Sequence, residues 1–179
     1  MISAQARDSL DRIFRQAALT RLPVRDGDPC NIAPLDPRDA SALPGDDVVV
    51  LTISSMTFRL LLALHFADDD ATRDYYLADT AGRTLRDTLM EVANLCCGAM
   101  NQLLVECFPD LGMSTPYLLN RRSVRHLDEL RPGYVSAYGL TVGSSVRLGA
   151  TLCVCSHAPL DFVANLSDVR QDVGELELF

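Results

Sequence analysis

Apolar residues recur at helical spacing in two long stretches and crowd into short β-rich runs between them. In residues 4–20, AQARDSLDRIFRQAALT, the positions Leu10, Ile13, Phe14, Ala17 and Ala18 fall three and four apart and predict an amphipathic N-terminal helix. Residues 22–47 then hold five Pro and two Gly in a mainly polar tract without period, which reads as a long irregular loop. The runs DVVVLTIS and FRLLLALHF, separated by Ser55 to Thr57, predict a hairpin. A short helix is expected within ADDDATRDYYLAD, and a long one over Asp87 to Cys107, ended by Pro109 and Gly112. Tyr134 to Val142 and Val146 to Cys155 predict a second antiparallel pair across Gly143-Ser144-Ser145. The tail from His157 fits a strand extension or a helix, and the pattern does not choose. Strands flank a central helix instead of alternating with helices one for one. The predicted class is therefore α+β, with antiparallel strands forming a sheet packed with long helices, in one domain spanning 1–179.

The central helix, DTLMEVANLCCGAMNQLLVEC, is apolar over most of its circumference. Leu89, Val92, Ala93, Cys96, Ala99, Met100, Leu103 and Cys107 share one broad side, and Leu89, Val92, Cys96, Ala99 and Leu103 are expected to face the core. Asp87, Glu91, Asn94 and Gly98 run along a narrow seam opposite, which Asn101 and Gln102 extend. At about 100° per residue, Glu91 and Asn94 point within roughly 60° of each other. A Glu and an Asn three apart on a helix are most often plain solvated surface. Here they stand on an otherwise apolar helix, and that narrowness marks the seam as a working surface.

Composition narrows the partners. The formal charge of −8 argues against a nucleic-acid backbone or an anionic membrane. All 16 basic residues are Arg, so neither a Schiff-base lysine nor a phosphate-loop lysine is available. Charges interrupt the first dozen residues, and the longest apolar run, LLLALHF, is too short to span a bilayer. The expectation is a cytoplasmic protein without membrane insertion. Six Cys occur without a Cys-x-x-Cys pair and read as buried thiols. Cys153, Cys155 and His157 form a remote alternative as a metal or redox site, while His65, His126 and His157 sit in unrelated contexts that suit no nucleophilic triad. Arg121, Arg122, Arg125, His126 and Arg131 make a local basic cluster, read as solvated loop residues or as steering for an acidic partner.

The spacing Asp87-x3-Glu91-x2-Asn94-x3-Gly98 resembles the signature of the chemotaxis phosphatases CheC, CheX and FliY. Downstream, LGMSTPYLLNRR (Leu111 to Arg122) is similar to the serine-x-proline strand that follows the helix in those domains, and GYVSAYGLTV with SVRLGATLCVC resembles their closing hairpin. The likeness is loose from about Asp46 to Cys155 and tight over Asp87 to Pro116. Two departures stand out. The Glu-x2-Asn element occurs once, whereas CheC and FliY carry it twice, which favours the CheX type. The first hairpin turn reads SSMTFR, without the glycine usual in the family.

The resemblance implies hydrolysis of the phosphoaspartate on a CheY-like response regulator. Phosphoryl transfer passes through a loose transition state, in which the attacking water needs placement more than deprotonation. Asn94 suits that role, because its carbonyl accepts from the water while its amide donates elsewhere. Glu91, by the same resemblance, pairs with a lysine of the regulator and registers the complex. The regulator supplies the phosphoryl group and Mg²⁺, leaving no cofactor or metal to this chain. Asp87, Gly98 and Asn101 are expected to border the partner. A carboxylate at the start of a helix is equally explained by the dipole, and a helical glycine by packing against the chain's own hairpin. The resemblance further implies a homodimer. The rival reading is a non-catalytic receiver-binding module, as in the flagellar switch protein FliM.

Overall fold

The computed structural model describes residues 1–39, 42–78 and 82–166. In chain order its elements are α1 (Ala4–Arg21), β1 (Cys30–Leu35), β2 (Asp47–Ser54), β3 (Phe58–Phe66), α2 (Asp70–Tyr76), α3 (Leu85–Val105), β4 (Gly112–Met113), β5 (Tyr117–Asn120), α4 (Arg121–Val124), β6 (Tyr134–Val142) and β7 (Val146–Ser156). Among the described residues seven strands form one antiparallel sheet in the order β1-β6-β7-β3-β2, with β4 and β5 following one another along the outer edge of β2. The class is α+β. The two hairpins meet where β3 pairs with β7 from Phe58↔Ser156 to Phe66↔Leu148, so the sheet's centre is built from the most apolar runs of the chain.

Those runs are continuous, not alternating, because both faces of the sheet are covered. On one face Val49, Leu51, Ile53, Leu60, Leu62, Leu64, Leu148, Leu152 and Val154 pack with Leu10, Ile13 and Phe14 of α1 and Leu89, Ala93, Met100 and Leu104 of α3. On the other, Val48, Val50 and Ala63 form a smaller cluster with Leu61 and Val124. α1 is fixed to β6 by the Asp11 carboxylate, whose Oδ1 accepts from Tyr134 Oη at 2.6 Å, from Ser136 Oγ at 3.3 Å and from Tyr138 Oη. Burial and the adjoining Asp11 push the Tyr134 hydroxyl up to about 12, and raise Tyr138 similarly, so both remain proton donors at any physiological pH. Among the described residues no helix is long and apolar enough to cross a membrane.

The stretch 22–47 departs from the expected irregular loop, for it contains β1. Pro34 hides this strand, yet among the described residues β1 pairs only with β6 and lies at the sheet edge, where proline is tolerated. The stretch after β1 returns across the second face, where Leu43 is buried against Gly149. A Cβ on Gly149 would lie 2.6 Å from Leu43 Cδ2, so glycine there lets Leu43 pack closely without shifting. The tail is neither helix nor full strand as far as Leu166. Leu160 makes a single bridge to Ile2, and Ser9 Oγ receives the Ala164 N–H at 3.0 Å; residues beyond 166 lie outside the described ones.

His65 is fully buried on the second face, with Nε2 3.0 Å from Thr151 Oγ1. Burial, with the Arg121 charge adding to it, pushes its pKa from 6.5 down to about 4. The unfolded chain therefore takes up the proton first as pH falls. Stability contributed by neutral His65 is complete above about pH 6.5 and is lost progressively toward pH 4, by at most about 3 kcal/mol. Urea melts of wild type and His65→Gln across that range should diverge accordingly, the wild type losing stability more steeply as pH falls.

Candidate functional site

α3 begins with a reciprocal cap. Thr84 Oγ1 accepts from Asp87 N–H at 3.2 Å and donates to Asp87 Oδ2 at 2.7 Å. Asp87 thus serves the helix itself, in the third position where a capping carboxylate is favoured by geometry and dipole alike. One turn on, Glu91 is exposed and Asn94 half-buried. Among the described residues neither side chain has a hydrogen bond or ion pair, so both are free to turn toward a partner. Asn101 differs: its Oδ1 is buried without a hydrogen-bond partner, placing it at the margin of the packed interface instead of on open surface.

Gly98 resolves an alternative that the sequence leaves open. A Cβ built on it meets nothing within 4 Å, so packing against the chain's own hairpin does not explain the glycine. The missing side chain instead leaves an open notch beside Asn94. Since glycine inside a helix costs about 0.5–1 kcal/mol relative to alanine, Gly98→Ala is expected to raise stability by about that amount. If the notch receives a partner, the same change weakens receiver binding. Chemical melts and a binding titration on one variant check both halves.

The exposed seam is not wholly polar. Leu95 is 47% exposed, one turn after Glu91 and one turn before Gly98, and Val105 is 44% exposed further along. Sequence reasoning passed over Leu95, although at about 40° from Glu91 the helical projection already places it on the seam. An exposed leucine between an acid and a notch supplies apolar contact area that two polar side chains lack.

Beneath the seam, Leu89, Val92, Ala93, Cys96, Cys97, Met100 and Leu104 are buried. Ala99 and Leu103, expected in the core, are only half-buried and look into a shallow groove shared with Gln16, Ala17, Thr20 and Arg21 of α1. The flank of the buried arc shifts along the helix, from Thr88 and Val92 near the start to Cys97 near the end, around a stripe of Leu89, Ala93, Cys96, Met100 and Leu104 that stays buried along its length. Met56 and Ser55 in the β2–β3 turn are tied to the far end of α3 by Asp110, whose Oδ2 accepts from Met56 N–H at 2.8 Å and Ser55 Oγ at 3.1 Å. That tether, with no residue of the turn in the left-handed region, shows why SSMTFR needs no glycine.

The remaining candidates lie apart from the seam. Burial pushes the Cys97 and Cys153 thiols up to about 12, and raises Cys96 as well, which keeps them protonated and unreactive. Cys155 Sγ donates to Leu130 O at 3.5 Å, and among the described residues no three or more His, Cys, Asp or Glu side chains converge as a metal site. Of the basic cluster, Arg121 and Arg125 line a cleft with His65 on the face turned away from α3. These two arginines stand on the second face and not beside the Glu91 seam.

No protein-family model matches the chain, and no curated protein matches it. Solved structures do. Chemotaxis protein CheX from Vibrio vulnificus is similar with a TM-score of 0.61 at 13% identity, over 82% of this chain and 99% of that one. CheX in a complex with CheY, BeF3 and Mg²⁺ from Borrelia burgdorferi gives 0.53 at 6% identity, over 82% of this chain and 96% of the other. The middle domain of FliM from Vibrio alginolyticus gives 0.53 at 8% identity, over 83% and 92%. At such identities the likeness shows the fold, and the fold of this chain is that of the CheX and CheC-like chemotaxis proteins.

Proposed function

We propose that this chain removes the phosphoryl group from the phosphoaspartate of a CheY-like response-regulator receiver domain, in the cytoplasm. The observation that carries the reading is the arrangement of Glu91 and Asn94, unpartnered and one turn apart on a rigid helix, beside an open notch at Gly98. The CheX–CheY complex of the same fold makes a receiver the natural partner for such a surface.

Asn94 presents a carbonyl that accepts from the attacking water and an amide that donates to another oxygen, so it holds the water in line with phosphorus without removing its proton. Little base strength is needed, because bond breaking runs ahead of bond making in a loose transition state. Mg²⁺ belongs to the receiver and neutralises charge on the transferred group when bound there. Glu91, more exposed than Asn94, meets a lysine of the receiver and fixes the register of the two proteins. Leu95 and the Gly98 notch supply apolar contact and close approach.

The test is the lifetime of the acyl phosphate on a receiver mixed with this protein. Shortening at catalytic, substoichiometric amounts supports hydrolysis; binding without shortening leaves the FliM-like interaction module. Glu91→Gln is expected to weaken association several-fold, and added salt should reproduce part of the effect in the wild type. Titration against a receiver loaded with beryllofluoride measures this. Undiminished affinity would remove the docking role and return Glu91 to consideration as a base. A homodimer is part of the same proposal, on resemblance alone, and sedimentation at micromolar concentration tests it.

A further inference from the structure

The second face of the sheet carries a cleft of about 280 Å³ that the phosphatase reading does not use. Among the described residues its charged lining is Arg38, Arg121 and Arg125 against the single acid Asp128, a net positive enclosure in a chain of net charge −8. Arg121 is held in place: Nη1 donates to Leu43 O at 3.1 Å and Nε lies 3.8 Å from Asp46 Oδ1. The apolar walls are Leu43, Val124, Leu127 and Val135. At the floor stands His65, wholly buried, with Nε2 engaged by Thr151 Oγ1 and Nδ1 buried without a partner. Folded proteins rarely leave such an atom unsatisfied.

We propose that this cleft binds a small organic anion, its charged group held by Arg121 and Arg125 and its apolar body against Leu43, Val124 and Leu127, above the buried His65. The volume sits at the lower end of small-molecule sites, and the mixture of apolar walls with a few convergent polar groups is the usual make-up of one. Guanidinium groups suit carboxylate and phosphate equally, since both offer two oxygens to the planar fork. The apolar walls distinguish an organic anion from a bare ion. Burial keeps His65 neutral near pH 7, so it adds no charge beneath the two arginines.

Four probes separate the possibilities by calorimetry on the full chain: benzoate, phenyl phosphate, inorganic phosphate and benzyl alcohol. Benzoate or phenyl phosphate should bind at one saturable site and shift the side-chain nitrogen resonances of His65, whichever binds more tightly naming the charged group. Benzyl alcohol should not bind. Arg125→Gln, an exposed substitution that leaves the fold intact, should weaken binding about tenfold, and Arg125→Lys should retain part of it. Inorganic phosphate binding as tightly as both organic anions would overturn the organic-ligand assignment. Absence of saturable binding, or affinity unchanged in both Arg125→Gln and Arg121→Gln, would overturn the site.

Discussion

Asn94→Ala is expected to lose phosphatase activity on the order of 10²-fold while leaving the fold and receiver affinity nearly unchanged. Removal of a single polar group that positions a reacting atom commonly has an effect of that size, because the group acts in the transition state and contributes little to ground-state binding. Two features of the structure make the variant clean. Asn94 has no hydrogen-bond partner among the described residues, so its loss leaves nothing unpaired. It is also half-buried on the outer side of α3, so truncation opens no internal cavity. Single-turnover decay of a pre-phosphorylated receiver, at saturating concentration of this protein, isolates the chemical step. A decay rate equal to wild type would remove Asn94 from the chemistry and leave the receiver-binding module as the better reading. Asn94→Asp sharpens the test: it keeps shape but replaces the donating amide by an acceptor and brings negative charge toward a phosphoryl group, so its activity should fall at least as far.

Apolar patterning made most of the architecture legible in advance. α1 and α3 each carry five or more apolar residues at helical spacing, and the two hairpins show as short, dense apolar runs broken by turn residues. β1 was illegible for a physical reason: as an edge strand it satisfies one ladder only and can hold Pro34, which cuts short the alternation of half-buried Cys30 and Ile32 with exposed Asn31 and Ala33. The serine-x-proline run was legible as extended chain but not as two pieces. Pro116 has no N–H, and the ladder to β2 breaks between β4 and β5, bridged by Ser114, whose N–H reaches Thr52 O at 2.9 Å and whose hydroxyl accepts from Thr52 N–H at 3.0 Å. The Asp11 clamp joins residues more than 120 apart in the chain, and no local pattern encodes that meeting.

The candidate site divides in the same way. Glu91 and Asn94 stand out in the sequence because their spacing is local and their helix is apolar around them. Whether Gly98 packs inward or opens outward is a tertiary fact, decided by what lies opposite its missing Cβ. The place of Asp87 in a cap depended on Thr84, which stands before the patterned stretch. The shifting flank of the buried arc along α3 moved Ala99 and Leu103 toward the surface and Cys97 inward, a correction no fixed helical projection could supply.

Leu89→Ala carries the largest expected loss of stability, about 2–5 kcal/mol, through lost transfer free energy and the cavity left behind. Leu89 is completely buried and packs in the main core, where α3 meets the sheet. Leu103→Ala, on the half-buried flank, should fall well below it, and Asn94→Ala within about 0.5 kcal/mol of wild type. Urea melts rank the three, provided the slopes agree, since a shifted midpoint at constant slope reports native stability alone. The ranking bears on function as well as on packing. A helix that orients water must hold its seam still, and the buried arc under Glu91 and Asn94 is what holds it. Leu89→Ala should therefore lower activity in proportion to the fraction unfolded and regain it on cooling toward the temperature of maximum stability, whereas Asn94→Ala should stay inactive when fully folded. Should Asn94→Ala prove as destabilising as Leu89→Ala, Asn94 would be a structural residue and the seam would cease to be a working surface.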